Sequence, residues 1–437
     1  MAEDTKRRRV ALHTKILLGL LLGAIAGVTA NTYARESPQL DWLVNNVAQP
    51  VGQVFLRMLF MVVVPLVFAS VTLGVASLGD LRRIGRVGVK TLLVFLATTS
   101  LAVVVGLTLV NLVQPGHALD PAVRTQLLAE YSAQAGETIA IADQERFGIN
   151  TFVKVVPRNP LGAAAEGDML GLIFFSLIFG ISLTLVAREI AAPVLRVLEG
   201  INQAVIVIIG FAMRLAPLGV FGLIFSVTAK FGFDVLRSLA LYVVTVLAAL
   251  LLHQFGVIGM LARFVVGMKP SSFFSRCRAL MITAFSTSSS SATLPTTIRT
   301  AEENFGVPRE IAGFVLPLGA TMNMNGTALF EGISVLFLAQ VFGVEMGLLA
   351  QVVVVALAVI SSIGVAGVPG GSIPLLVMVL GMVGVPGEGI ALILGVDRIL
   401  DMARTVPNVT GDLLTSLIVA RSERLPLLAQ EVSDSAA

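Results

Sequence analysis

Cysteine occurs once in 437 residues, at Cys277, which excludes an internal disulfide and a thiolate metal cluster. The three histidines, His13, His117 and His253, lie too far apart in sequence to form a local metal motif. Charge is scarce too: 13% of residues are Asp, Glu, Lys or Arg, about half the share found in soluble domains. The sequence pI near 9.2 comes from a few basic clusters, and nothing else in the chain points to nucleic acid. Apolar residues dominate instead, at 56% of the chain with a mean hydropathy of +0.91, which is the composition of a membrane protein.

Crossing about 30 Å of hydrocarbon takes roughly 20 helical residues, and uncharged runs of that length recur throughout the chain. Eight are expected, near 14–33, 51–79, 91–113, 169–187, 201–229, 238–262, 311–338 and 389–420. Barrel strands would give shorter, alternating segments. The first run follows Lys6, Arg7, Arg8 and Arg9; it reads as a span because it is long and no small-residue cleavage site follows it. Arg82, Arg83, Arg86 and Lys90, then Arg196, then Arg263, Lys269, Arg276 and Arg278 fall on one side, which predicts two cytoplasmic termini. The 114–168 connection holds seven acids against four bases and reads as an outer loop, flexible at its middle. His253, inside the sixth span, reads as a core histidine with its ring satisfied.

Two segments resist simple counting. Residues 279–298 are interrupted by the run "FSTSSSSATLP" (285–295), where the serines and Pro295 break the span at its middle. Residues 346–387 carry no charge over 42 positions, too many for one crossing, and "SSIGVAGVPGGSIP" (361–374) divides them. Both read as re-entrant hairpins, because backbone that leaves the helix at membrane depth must be buried in protein or line a wet cavity. The hairpins enter from opposite sides and each precedes a full helix, an inverted repeat that points to the midplane site of a secondary transporter. The competing reading is two kinked helices with the serine run as a packing seam.

In "GVDRILDMARTVPNVTGD" (395–412), Asp397, Asp401, Thr405, Asn408 and Asp412 share one helical face with Arg404 at its edge. Such a stripe must face a polar interior, since each charge at mid-membrane costs on the order of 3 kcal/mol. Asp401 and Arg404 can pair locally, whereas Asp397 and Asp412 have no obvious local partner and Arg398 reads as pointing off the face. Pro407 cannot donate to the Ala403 carbonyl and so frees an acceptor beside the stripe. The preceding span breaks at "TMNMNGTALFEG" (321–332), where Gly326 is expected to permit unwinding between Asn323, Asn325 and Thr327. Unwound carbonyls with amide and carboxylate oxygens suit a hard cation such as Na⁺, and half-helix N-termini suit a carboxylate. No span offers a serine or cysteine beside a basic partner, so an intramembrane enzyme is not supported.

"SSSSATLP", "GATMNMNGTALFEG", "SIGVAGVPGG" and "DRILDMARTVPNVTGD" closely resemble the glutamate transporter homologues of the dicarboxylate/amino acid:cation symporter family. "PLVFASVTLGVASL" (65–78) and "VVPRNPLGA" (155–163) extend the likeness to nearly the whole chain. The resemblance implies an all-α membrane protein with eight transmembrane helices, two re-entrant hairpins and an elevator mechanism, assembled as a homotrimer in the inner membrane. Residues 1–85 and 114–235 would form the scaffold. Residues 86–113 and 236–421 would form the moving transport domain, with hairpin one at 270–299 and hairpin two at 346–387, and 422–437 would be a cytoplasmic tail.

The same resemblance assigns roles. Ser290, with the backbone at Ser289 and Ser291, would bind the substrate α-carboxylate together with Asn408. Val368 and Gly371 would belong to the lid. Asp401 would take the ammonium and Arg404 the side-chain carboxylate, while Met324, Thr327 and Thr405 line the pocket. Thr99, Ser100, Asn323 and Asn325 would form one sodium site, and Gly319, Asn408 and Asp412 a second, with Ser362 a further ligand. Glu331 would carry a proton, the alternative being a hydrogen-bonded structural acid. No cofactor is implied beyond Na⁺, H⁺ or both as coupling ions.

Where the family commonly has aspartate this chain has Asn325, so one sodium site loses its carboxylate. An auxiliary arginine of the family, at Ser288 or Met402, is also missing, and Arg398 is the residue able to compensate. Keeping Asp401 and Arg404 together argues for aspartate or glutamate as substrate. A C4-dicarboxylate symporter and a gated ion channel are the rival readings.

Overall fold

The computed structural model describes residues 12–34, 37–84, 86–119, 156–166, 169–364, 367, 369–425 and 427. The basic N-terminal cluster at 6–9, the middle of the 114–168 loop, Val368 and the end of the tail lie outside them. Among the described residues there are helices and no strands. Six helical stretches are long and apolar enough to cross a membrane, which makes this a multi-pass membrane protein. Of the eight expected spans, 169–187 is a shorter apolar helix and 389–420 is a long helix diluted by its charged stripe.

The chain opens with α1 (Leu12–Ala34) and continues through α2 (Gln49–Phe60), α3 (Val63–Ile84), α4 (Arg86–Val113) and α5 (Met169–Leu185). The longest helix, α6 (Arg188–Phe231, 44 residues), packs along α1 and α2. Gly19, Gly23 and Gly27, spaced by four on α1, lie directly against the α6 backbone at Pro217, Phe221 and Phe225, where a Cβ would collide. Small residues at this spacing let two helices approach without a hydrophobic driving force from water. On the other side α3 packs against α5, with Phe68, Phe175 and Phe179 stacked at centroid distances of 5.6–5.9 Å.

The second half holds the broken elements. Helix α7 (Phe233–Leu251) runs on through π-helical turns at Leu252–Ile258 and Ala262–Val266. His253 lies in the first of these turns, fully buried, with no hydrogen-bond partner for either ring nitrogen among the described residues. The expectation of a satisfied core histidine is therefore corrected: the ring is in the core, but neither nitrogen is satisfied among the described residues.

Helices α8 (Arg278–Thr287) and α9 (Ser290–Arg299) meet at Ser288, which has a left-handed φ of +51°, and Ser289. Pro295 sits inside α9 rather than at the break, and there it cannot donate to the Ser291 carbonyl one turn back. Helices α10 (Arg309–Met322) and α11 (Asn325–Phe342) are separated only by Asn323 and Met324, inside the segment expected to unwind. Helices α12 (Leu348–Gly364) and α13 (Ile373–Met382) divide the uncharged run, and α14 (Ala391–Ser422) closes the fold.

Helix α14 packs against α8, α10 and α11, and its stripe faces them. Its far end is fastened to α4 by Glu423, which accepts from Arg86 and, at 2.7 Å, from Lys90. Those hydrogen bonds, Arg86's the stronger, pull the Glu423 carboxyl from 4.5 down to about 2. The contact therefore supports the fold above pH 4.5 and is lost only as pH falls through about 2.

Candidate substrate and cation site

Three helices begin at the wall of one small cavity. Ser288 and Ser290 come from the start of α9, Met324 and Thr327 from the start of α11, and Gly367 and Ser372 from the segment before α13. Asp401, Arg404, Thr405 and Asn408 of α14 complete the lining. Aligned peptide dipoles give each helix start a partial positive charge, so their convergence favours an anionic ligand.

The α14 residues are held by one another. Arg404, 1% exposed, donates from Nη2 to Asp401 Oδ1 at 2.7 Å and from Nη1 to Asp397 Oδ1 at 3.0 Å. Its guanidinium lies over the Phe330 ring, 4.2 Å from the centroid. Asp397 thus has a partner after all, two helical turns along, within reach of the long arginine side chain. Arg398 does not point away from the face: its Nη1 donates to Asp401 Oδ2 at 3.3 Å. The Gly370 N–H donates to the same oxygen at 3.3 Å, tying the segment before α13 to the stripe.

Asn408 has a different task from its neighbours. Its Oδ1 accepts from the Gly326 and Thr327 amides at 2.7 and 3.3 Å, capping α11 from another helix, and its Nδ2 donates to Thr327 Oγ1 at 3.1 Å. Gly326 lies inside α11 and unwinds nothing. It is glycine because a Cβ there would meet the Arg404 carbonyl oxygen and, at 2.7 Å, the Pro407 ring. Gly326→Ala should therefore push α11 off α14, destabilising the protein by about 1–3 kcal/mol. Thermal unfolding in detergent checks it, and an unchanged Tm would show that the close approach does not hold α11 on α14.

The tips of the broken elements are joined. Ser289 caps α9 by accepting from the Ala292 amide at 3.1 Å, and its hydroxyl donates to the Gly367 carbonyl at 2.5 Å. The Ser291 amide donates to the same carbonyl at 3.2 Å. Ser289 and Ser291 thus close the cavity rather than line it, and Gly371 is buried beside it. Ser288 and Ser372 line it, although the sequence marks neither as a ligand, and both hydroxyls are buried without a partner among the described residues. Their place next to the two breaks is the signal that could have found them.

The expected cation ligands are partly assembled. Thr99 Oγ1 donates to Asn325 Oδ1 at 2.7 Å, and Thr98 and Thr99 both approach Asn323 Oδ1 at 3.4 Å, so Thr98 joins a group in which only Thr99 and Ser100 were expected. Asn323 Nδ2 donates to Asp412 Oδ1 at 2.8 Å, and Asp412 presses against Gly319. Asn323 therefore links the two groups. Asn408 Oδ1 is engaged on α11 rather than on Asp412, and Ser362 bonds the Val359 carbonyl of its own helix at 2.7 Å. Ser100 is half-buried on α4. The Asn325 Nδ2 is buried with no partner among the described residues, and the group holds neutral oxygens where a cation would gain from a carboxylate. Glu331, fully buried on α11, accepts at Oε2 from Ser361 of α12 at 2.5 Å.

Residues 12–422 match the model of a family described as the Sodium:dicarboxylate symporter family. The chain is 36% identical to a proton/glutamate-aspartate symporter of Escherichia coli (strain K12), over 96% of this chain and 94% of that protein. It is 37% identical to a proton/sodium-glutamate symport protein of Geobacillus stearothermophilus, over 95% of each. A C4-dicarboxylate transport protein of Laribacter hongkongensis (strain HLHK9) is 31% identical over 94% of this chain and 90% of its own length.

Proposed function

The chain belongs to the sodium:dicarboxylate symporter family, and from that premise we propose that it carries aspartate or glutamate across the cell membrane in symport with Na⁺, H⁺ or both. The observation that carries this reading is the pairing of Asp401 with Arg404, 2.7 Å apart in the wall of one cavity. An acidic amino acid needs one anionic and one cationic group side by side, and the planar guanidinium fork matches a carboxylate in both charge and shape. Asp401 takes the ammonium and Arg404 the side-chain carboxylate. The starts of α9 and α13, with Asn408, take the α-carboxylate.

Thr98, Thr99, Asn323 and Asn325 are the weaker cation site, and Asp412 with Gly319 and Asn323 the stronger. Glu331 carries the proton. The two broken pairs, α8 with α9 and α12 with α13, act as re-entrant hairpins in an eight-span inverted repeat. The helices expected to move are α4 and α7 to α14, sliding against a trimeric scaffold of α1, α2, α3, α5 and α6, with both termini in the cytoplasm and the protein in the inner membrane.

The C4-dicarboxylate relative supports a second reading. A dicarboxylate without an ammonium would place its negative charge against Asp401, which disfavours it. Uptake into proteoliposomes, with sodium and proton gradients imposed separately, tests the proposal, and saturable counterflow of labelled substrate separates a carrier from a channel. Asp401→Asn should lower glutamate affinity by about 10- to 100-fold, because a buried ammonium loses its charged partner, and leave inhibition by succinate in place. Equal loss of both ligands would assign Asp401 a structural role.

A further inference from the structure

Glu331 is the one titratable side chain of α11, and its carboxyl is held unevenly. Oε2 accepts from the Ser361 hydroxyl of α12 at 2.5 Å, while Oε1 is buried with no partner among the described residues. Ser361, itself buried, lies in the last turn of α12. Its hydroxyl has a second acceptor within reach, the Ala358 carbonyl of its own helix at 3.1 Å. One hydrogen cannot serve both. The helices around Glu331 offer it little else: α4 from 91 to 113, α12 and α13 carry no titratable side chain. Tyr242 of α7 is bonded to Ser334 at 2.7 Å, and His117, before α5, to Gln114 at 3.3 Å. On α14, Arg404 faces Glu331 but shares its arms between Asp397 and Asp401, Arg398 is paired with Asp401, and Asp412 is bonded to Asn323.

We propose that Ser361 is a positioning residue that transmits the proton on Glu331 to α12. The inference rests on the reading of Glu331 as the proton carrier. With Glu331 ionised, Ser361 donates to Oε2 and holds α12 on α11 through a charge-assisted bond. With a proton on Oε2 the same two oxygens are joined the other way: the carboxylic acid donates to Ser361 Oγ, and the Ser361 hydrogen turns to the Ala358 carbonyl. A hydroxyl allows this because it is donor and acceptor at once. What changes is strength, since a hydrogen bond between neutral groups is about half as strong as one to a carboxylate. Helix α12 leads into the segment that closes the cavity, where the Gly367 carbonyl accepts from Ser289 and Ser291 and the Gly370 amide donates to Asp401. A proton left on Glu331 therefore loosens the closing segment of an empty site, whereas bound substrate supplies contacts that offset the weaker bond. Ser361 thereby favours two forms, loaded with the proton on and empty with it off, and those are the forms a proton symporter has to carry.

The test uses proteoliposomes carrying wild type, Ser361→Ala or Ser361→Thr, with two readouts. Accumulation of labelled aspartate driven by a gradient of one pH unit, acid outside, needs the coupling; exchange against unlabelled internal aspartate at equal pH does not. Wild type should accumulate about tenfold. Ser361→Ala, which removes the hydroxyl and adds no bulk, should accumulate less than about twofold while its exchange stays within about twofold of wild type. Ser361→Thr, which keeps both donor and acceptor, should recover the response to the gradient. A full response in Ser361→Ala overturns the proposal. So does a parallel loss of exchange in that variant, which would make Ser361 a packing residue, and so does a Ser361→Thr variant that exchanges aspartate but ignores the gradient. A wild type that exchanges aspartate but is indifferent to the gradient would instead overturn the reading of Glu331 on which the inference rests.

Discussion

Vesicles carrying Arg404→Cys should take up neither aspartate nor glutamate above background. Arg404 is 1% exposed, shares its two arms between Asp397 and Asp401, and rests on Phe330. Removing one member of a buried, hydrogen-bonded charge group costs about 2–5 kcal/mol, which corresponds to roughly a 30- to 4,000-fold loss of affinity for a substrate carboxylate that depends on it. Part of that loss is damage to the protein itself, because two buried carboxylates are left with one guanidinium fewer. Arg404→Lys separates the contributions: it restores a charge but not the fork, and should recover stability further than it recovers glutamate affinity. The thiol also leaves room where the carboxylate lay, so serine or alanine should become better substrates for Arg404→Cys. Unchanged affinity for acidic amino acids in that variant would sink the assignment.

Glu331→Gln should abolish the response of uptake to a pH gradient. Glutamine keeps the shape of the side chain and an acceptor for Ser361, and removes only the exchangeable proton. An inward gradient of one pH unit supplies about 1.4 kcal/mol per proton, enough for about tenfold accumulation. Wild-type vesicles with acid outside should approach that factor, and Glu331→Gln vesicles should show none of it while still responding to sodium through Asp412. Asn325 makes the contrast sharper, since one cation group has only neutral oxygens to offset the dehydration of Na⁺. A wild type indifferent to the gradient, or a variant that responds fully, would return Glu331 to the role of a hydrogen-bonded structural acid.

Periodicity controls what is legible in the sequence. Residues spaced by three and four on an uninterrupted helix share a face, so the α14 stripe follows from spacing alone, and polar residues inside a span mark the break at Asn323 and Met324. The departures have a common origin in side-chain reach and tertiary approach. Arg398 leaves the axis in a different direction from Asp401, yet its guanidinium lies far enough from the backbone to come round to Oδ2. Asp397 and Arg404 meet two turns apart for the same reason. Gly326 resembles a hinge because glycine tolerates unwinding, whereas its hydrogen answers to a neighbouring helix invisible to local rules. Ser288 and Ser372 enter the cavity because two breaks distant in the chain come together, and no local pattern encodes that meeting.

The Gly367 carbonyl receives both the Ser289 hydroxyl and the Ser291 amide, and under the proposed function the tips part there to admit substrate. Two hydrogen bonds at a net of about 1 kcal/mol each hold the tips together by about 2 kcal/mol, so the parted form makes up roughly 3% of the population. A door that stands ajar that often needs no push from the ligand. On the proposed function, aspartate is expected to select that parted conformation, and its low abundance should appear as an association rate some thirtyfold below that of a permanently parted variant such as Ser289→Ala combined with Ser291→Pro.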